Sequence, residues 1–154
     1  MGIACWSLPG NPIHCHLRRS AVEFYGLRDK TDWTDEQIDE MWSHVSPEAW
    51  DGDQAQLDDV RRSVMGDEPH WFLAPLLTWP EWQGKGVGKK LLNWAIEQAD
   101  GEEPPTPMFL ESAITARAVY LHVGFVPCGD VQMVRRGPRK EEGKAGVEKE
   151  EKKE

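Results

Sequence analysis

A glycine-rich segment near the middle of the chain contains the residue types that bind anions. Glycine occurs at positions 84, 86 and 88, and lysine at positions 85, 89 and 90. Glycine lets the main chain adopt conformations that a Cβ would forbid, and it lets another group approach the backbone closely. Where such a turn opens a helix, unpaired N–H groups and the positive end of the helix dipole favour a bound anion, usually phosphate. The segment therefore predicts a phosphate-binding loop.

Two elements must position this loop. The apolar run from Trp71 to Trp79 precedes it and has the length of a β-strand. After the loop, apolar residues recur at spacings of three and four, which is typical of a helix with one buried stripe. These residues are Leu91, Leu92, Ala95, Ile96 and Ala99. The pattern predicts a strand, a glycine-rich turn and a helix in that order.

The spacing of the loop excludes two common phosphate-binding motifs. A Walker A loop needs four residues between its first glycine and the final Gly-Lys-Ser/Thr. Here three residues separate Gly84 from Gly88, and Lys90 stands where the hydroxyl would be. A dinucleotide fingerprint, Gly-x-Gly-x-x-Gly, would need its third glycine at Lys89. A plain glycine-lysine turn that caps an ordinary helix remains an alternative.

What does fit is a pattern of Gln/Arg-x-x-Gly-x-Gly/Ala, here Gln83-Gly84-Lys85-Gly86-Val87-Gly88. It resembles the pyrophosphate-binding signature of the GNAT superfamily of N-acetyltransferases. A second block, Ala116 to Phe125, is similar to the family's later signature, a short helix that closes on Gly-Phe. The resemblance covers roughly residues 70–134. It implies an α/β (α+β) fold with a GNAT-like mixed, mostly antiparallel twisted sheet flanked by helices.

The resemblance implies acetyl-CoA as the co-substrate. It also implies a bulge in the strand around Pro75, and a slot where that strand splays from the next one near Leu110. Proline suits a bulge because it cannot donate to a sheet ladder. The expected acetyl-CoA-binding residues are Leu76, Leu77, Thr78, Gln83, Gly84, Lys85, Gly86, Val87, Gly88 and Lys89.

Three residues are candidates for proton transfer. Tyr120 matches the family's usual general acid, although a tyrosine that only packs on the sheet is an equal alternative. His70 and Glu111 flank the strands that face the slot and are the candidate general bases. Where the family often has an asparagine, this chain has Ala113.

The implied activity is that of an acyltransferase that moves an acetyl group to a small-molecule or peptide amine by direct attack. The protein is expected to be a monomer or homodimer. The segment Gly2 to Leu8 resembles a strand that comes midway through the family's domain, so we expect an incomplete domain over residues 1–134 without its usual first strands and helices. The alternative is a truncated, catalytically silent relative that binds coenzyme A or a protein partner.

Composition narrows the function classes. The chain has 154 residues and a formal net charge of −9, whereas nucleic-acid binding would need a basic surface. No apolar run approaches the ~20 residues of a membrane span. Three cysteines and no signal peptide predict reduced thiols in the cytoplasm or nucleus. The charged segment 135–154 is predicted to be a disordered tail, because it has almost no apolar residues.

The His-Cys-His segment and the tryptophan-containing region that follows it are two further features that bear on function. His14, Cys15 and His16 lack the spacing of metal ligands, so no metal is predicted there. Helices are predicted within residues 31–50, with a capping box at Thr34 and a stop at Ser46-Pro47, and within residues 54–65, with an apolar side. The apolar side consists of Leu57, Val60 and Val64. Tryptophans at 33, 42 and 50 either line an acceptor channel or pack in the core.

Overall fold

The structure is a computed structural model that describes residues 1–30 and 32–138. Most of the predicted charged tail, from position 139 onward, therefore lies outside the described residues. The strands are β1 (Gly2–Ser7), β2 (Trp71–Thr78), β3 (Met108–Glu111), β4 (Val126–Pro127) and β5 (Gln132–Arg135). The α-helices are α1 (Ala21–Phe24), α2 (Asp35–Trp42), α3 (Pro47–Met65), α4 (Val87–Asp100) and α5 (Arg117–His122).

The five strands form one sheet in the order β1-β2-β3-β5-β4. Only β2 and β3 pair in parallel, and α4 makes the crossover between them. The other three pairs are antiparallel. The predicted fold class, a mixed and mostly antiparallel sheet flanked by helices, is confirmed.

The apolar core lies on both faces of β2 and β3, because successive side chains of a strand point to opposite faces. Trp71 and Leu73 face the α4 side and pack with the stripe of that helix, including Leu92 and Ala95. On the opposite face, Phe72 packs with Phe109, Val134 and Met65 of α3. The buried stripe that was predicted on α4 is confirmed at Leu92, Ala95, Ile96 and Ala99.

The first two longer helices differ from their predicted bounds. The capping box at Thr34 is confirmed, since the Thr34 side chain accepts from the Gln37 N–H and the Gln37 side chain accepts from the Thr34 N–H. However, α2 ends at Trp42. Ser46 and Pro47 begin α3, where Ser46 is the N-cap and Pro47 occupies the first turn. The prediction that these two residues only stop a helix was wrong, because proline fits a helix start, where its missing N–H is not needed.

The buried face of α3 is also different from the predicted one. Leu57 is exposed, and Val60 and Val64 are only partly buried. The fully buried residues are Asp58, Arg61 and Met65, which recur at spacings of three and four. Within the described part of the chain, no helix is long and apolar enough to cross a membrane.

Candidate active site

The glycine loop, residues 83–89, connects the end of β2 to α4 through a short 3₁₀ turn at Pro80–Trp82. Gly84 and Gly86 have φ angles of +70° and +76°, in the left-handed region that favours glycine. Gly86 is the N-cap residue of α4, which begins at Val87. The predicted order of strand, glycine-rich turn and helix is confirmed.

On the two flanks of the glycine loop, main-chain N–H groups already have hydrogen-bond partners. The Gln83 N–H donates to the Pro80 carbonyl at 3.2 Å, and the Lys90 N–H donates to the Gly86 carbonyl at 3.1 Å. Between them, the amides of residues 84–89 make no comparable bond to another described residue. The loop is exposed from Gln83 to Gly86. Several N–H groups are therefore available to an anion at the start of α4.

The side chains around the loop leave room for a ligand. A Cβ at Gly88 would lie 3.8 Å from Thr78 Oγ1, so the protein itself does not require glycine at this helical position. The Gln83 side chain donates to the Thr78 carbonyl at 3.2 Å, and Lys85 Nζ lies 5.2 Å from the centre of the Trp82 ring. Free amides, a helix start and three lysines together fit a diphosphate.

The strand before the loop is irregular at the predicted position. Ala4 pairs with Leu76 and Trp6 pairs with Leu73, so Ala74 and Pro75 oppose the single residue Cys5. This register shift is a β-bulge on β2. The bulge that was expected around Pro75 is confirmed.

The expected splay between β2 and β3 is also present. The parallel pairing ends at Leu73 and Leu110, whereas β2 continues to Thr78. Beyond Leu73, β2 pairs only with β1, so the main-chain groups on its other edge are not used by β3. A cavity of about 310 Å³ lies where the strands part, and we call it the slot. It is lined by Leu73, Ala74, Pro75, Leu76, Glu111, Ala113, Ala116 and Tyr120.

The slot brings together two of the predicted catalytic residues. Tyr120 is buried, and its burial raises the pKa of the phenol, so Tyr120 carries its proton at neutral pH. Glu111 is partly buried, and its Oε1 is enclosed without a hydrogen-bond partner among the described residues. Burial raises the pKa of Glu111, while the positive charge of Arg61 opposes that shift. A proton donor and a proton acceptor therefore line one cavity.

His70, the other predicted base, does not line the slot. It lies at the start of β2, whereas the slot lies beyond the register pair Leu73–Leu110. The start of β2 and the end of β3 are at opposite ends of a parallel pair, so His70 and Glu111 are separated by roughly four strand residues, about 13 Å. The His70 Nδ1 atom lies 2.7 Å from the Glu68 carbonyl, and burial lowers the pKa of the ring.

Sequence reasoning missed a group of polar residues on the α3 face of the sheet. Asp58 is buried, accepts from the Cys15 N–H at 2.9 Å and pairs with Arg18 at 3.1 Å. Arg61 is buried one helical turn further on. His16 lies beside them near the bulge, where burial lowers the pKa of its ring and the Ala74 backbone opposes that shift. The spacing of Asp58, Arg61 and Met65 was the available signal.

The tryptophans at positions 33, 42 and 50 do not line the slot. Trp42 lines a separate cavity of about 610 Å³ bounded by α1, α2 and the start of α3. Trp33 is exposed and lines a small cavity beside α2. The Trp50 indole donates to the Leu17 carbonyl at 2.7 Å, so it attaches α3 to the preceding segment.

Comparison with known proteins identifies the class. Residues 63–139, half of the chain, match the family model of the acetyltransferase (GNAT) domain. The match spans β2, the glycine loop, α4, β3 and α5, and it includes every residue that lines the slot. The protein belongs to the GNAT acetyltransferase family.

One solved structure with a similar chain is that of histone acetyltransferase HPA2 and related acetyltransferase from Corynebacterium glutamicum ATCC 13032. The two chains are 21% identical, with a TM-score of 0.40. The alignment covers 89% of this chain and 57% of the other, so this chain spans little more than half the length of that structure's chain.

Proposed function

We propose that this protein is an acetyl-CoA-dependent N-acetyltransferase that moves an acetyl group to an amine by direct attack. The observation that carries the proposal is the slot between β2 and β3, with Tyr120 and Glu111 in its wall. It adjoins the strand that leads directly into the free amides of the glycine loop.

The chain offers contacts for the diphosphate and the pantetheine arm of the donor. The N–H groups of residues 84–89 would bind the diphosphate, and Lys85 and Lys89 add positive charge. The edge of β2 at Leu76, Leu77 and Thr78 would bind the pantetheine arm, because β3 does not occupy it. Main-chain hydrogen bonds would align the arm with the slot, as a strand aligns with a sheet edge.

The thioester supplies an acetyl group that an amine nitrogen can accept as its carbon–sulfur bond breaks. Glu111 would take the proton that the amine loses, either directly or through a water molecule. Tyr120 would give its phenolic proton to the sulfur that leaves. A backbone N–H of the bulged segment would polarise the carbonyl. The proton passed to Glu111 and the proton given by Tyr120 balance the transfer.

The acceptor is proposed to be a small-molecule or peptide amine, acted on in the cytoplasm or nucleus by a monomer or homodimer. A catalytically silent relative that binds coenzyme A remains the competing function. It is favoured by Ala113, which lines the slot where the family often has an asparagine.

Thermal unfolding and thiol release test the two functions together. We expect coenzyme A to raise the melting temperature more than 3′-phospho-ADP does, because only coenzyme A has the pantetheine arm that fits β2. We also expect acetyl-CoA to release thiol when amines are added. Stabilisation without thiol release over a broad amine panel would establish the silent relative. Equal stabilisation by both nucleotides would reduce the site to a general phosphate-binding loop.

A further inference from the structure

A second cavity, of about 210 Å³, lies on the α3 face of β2, and we call it the arginine cavity. Its walls come from the loop after β1, the C-terminal part of α3 and the start of β2. Arg61, His70 and Phe72 line it together with residues from the segments 7–13 and 66–69. None of the residues that line the slot lines this cavity.

Arg61 is a buried cation whose hydrogen-bonding capacity is not used. The residue is 3% exposed. Its Nε and Nη1 atoms are enclosed and have no hydrogen-bond partner in the part of the chain that the structure describes. Burial lowers the pKa of the guanidinium, which is the direction expected of a cation removed from water. A charge in this position is costly unless an anion pairs with it.

Asp58 and Glu111 are the carboxylates whose charges act on Arg61, and neither forms a hydrogen bond or ion pair with it among the described residues. Asp58, one helical turn away, pairs with Arg18 and accepts from the Cys15 N–H. Glu68, in the wall of the arginine cavity, pairs with Arg136 at 2.7 Å. The Arg61 guanidinium lies over the Phe72 ring, 4.1 Å from its centre, while its Nε and Nη1 atoms have no hydrogen-bond partner among the described residues.

The arginine cavity is close to the slot. Phe72 and Ala74 point to the same face of β2, two residues or roughly 7 Å apart along the strand. Phe72 lines the arginine cavity and Ala74 lines the slot. The charge of Arg61 also reaches Glu111 in the slot, since it lowers the pKa of that carboxyl.

We propose that the amine acceptor is a small amino carboxylate whose carboxylate binds Arg61 while its amino group enters the slot beside Glu111. Guanidinium and carboxylate form a planar, bidentate pair, so Arg61 selects this anion by shape as well as by charge. The two cavities adjoin along one face of β2, which suits an acceptor whose amino group is a few bonds from its carboxylate. This substrate class rests on the proposed acetyl transfer.

The first experiment compares acceptors that differ only in charge. Thiol release from acetyl-CoA is measured with β-alanine and β-alaninamide, and with 4-aminobutanoate and its amide. We expect kcat/KM to be about 100-fold higher for the carboxylate of at least one pair, a typical value for a buried charged contact. Equal values within both pairs of the unaltered protein would overturn the proposal and leave acetyl transfer intact.

Substitution assigns the discrimination to Arg61. Arg61→Gln should abolish the preference for carboxylates, and Arg61→Lys should restore part of it. Arg19→Gln serves as the control, because Arg19 is an exposed arginine outside both the slot and the arginine cavity. A carboxylate preference that survives in folded Arg61→Gln would contradict the assignment.

A binding measurement separates this proposal from acetyl transfer. Calorimetry with N-acetyl-β-alanine and N-acetyl-β-alaninamide needs no turnover, and we expect only the carboxylate to bind measurably. Binding that depends on Arg61, in a protein that releases no thiol from acetyl-CoA, would support the arginine cavity and reject the acetyl-transfer function. Equal binding of the two compounds to the unaltered protein would reject the arginine cavity alone.

Discussion

The glycine loop follows the C-terminal end of β2, whereas the α3 face is the side of the sheet against which α3 packs. The two regions are built in different ways. The loop, residues 83–89, is one continuous segment that offers main-chain N–H groups. The α3 face is assembled from side chains that are distant in sequence, such as Asp58 and the Cys15 N–H, 43 residues apart. A ligand that binds to backbone depends little on side-chain identity, whereas one that binds to side chains changes with each substitution.

This contrast is what we expect if the two regions bind different reactants of the proposed transfer. The main-chain site suits the part of the reaction that is common to the family, the binding of the donor. The side-chain site around Arg61 suits the part that we propose distinguishes one family member from another, the choice of acceptor. The following predictions are arranged to test whether the two regions can be changed separately.

The largest effect is expected from Glu111→Gln. Loss of a general base lowers kcat/KM by roughly 10²–10⁴-fold. Because burial raises the pKa of Glu111, the rate of the unaltered protein should fall as the pH drops through a pKa above the ordinary glutamate value, and this acid limb should be missing in the variant. Reaction rates measured from about pH 4 to about pH 9 in both proteins would show whether the acid limb is present.

Glu97→Gln is the control for this prediction, since Glu97 is exposed on α4. Coenzyme A should bind to Glu111→Gln as it does to the unaltered protein, because the glycine loop is unchanged. The general base would be assigned to another residue if Glu111→Gln kept its rate within about threefold of the parent. Such a change corresponds to roughly 0.6 kcal/mol in the activation free energy.

A loss of stability is expected from Asp58→Ala. The variant leaves Arg18 and the Cys15 N–H without their partner, and breaking a buried ion pair in this way costs about 3 kcal/mol. Asp59→Ala is a matched control, because Asp59 is exposed and pairs only with Arg62 on the surface, which is worth about 0–1 kcal/mol. Urea unfolding of both variants measures the difference. Equal losses of unfolding free energy in the two variants would show that the buried interactions of Asp58 do not stabilise the α3 face.

The smallest effect is expected from Gly88→Ala. A methyl group at this position meets only Thr78 Oγ1, at 3.8 Å, and alanine favours a helix over glycine by about 1 kcal/mol. The protein should therefore remain as stable or become more so, while coenzyme A binds about tenfold more weakly because the Cβ stands in its path, a loss of about 1.4 kcal/mol.

Gly52→Ala is the control for the glycine loop. Gly52 lies in α3, where an added Cβ has no neighbour within 4 Å. It should gain similar helix stability without any change in coenzyme A binding. Unaltered coenzyme A affinity in Gly88→Ala would show that the donor does not approach the start of α4 closely.

The donor side of the molecule could be predicted from sequence because its signals are local. Glycines at 84 and 86 occupy positive φ angles, and Gly124, in the Gly-Phe pair that was expected to close the short helix, has a φ of +95°. The stripe on α4 has a regular helical period, since it packs on one apolar face. Tyr120 and Glu111 both line the slot, and their catalytic roles stay predictions.

The α3 face of the sheet could not be predicted in the same way. Hydrophobic periodicity does not detect a helix face that buries Asp58 and Arg61, because those residues read as polar and therefore exposed. His70 was predicted at the slot, yet its position depends on the register of β2 against β3, which no local pattern reveals. No local pattern places His16 beside the Ala74 backbone, because the two residues are far apart in the chain.

The pairing of β1 with β2 has a consequence for how the protein folds. Residues 8–70 lie between these two strands, whereas β2, α4 and β3 follow one another closely. Pairing two strands that are far apart in sequence costs more chain entropy than pairing strands that are close in sequence. Strand pairs of the first kind therefore form slowly. We therefore expect the unit of β2, α4 and β3 to form first and to be able to recruit the donor early. The attachment of β1, and with it the loop that walls the arginine cavity, would complete the molecule last.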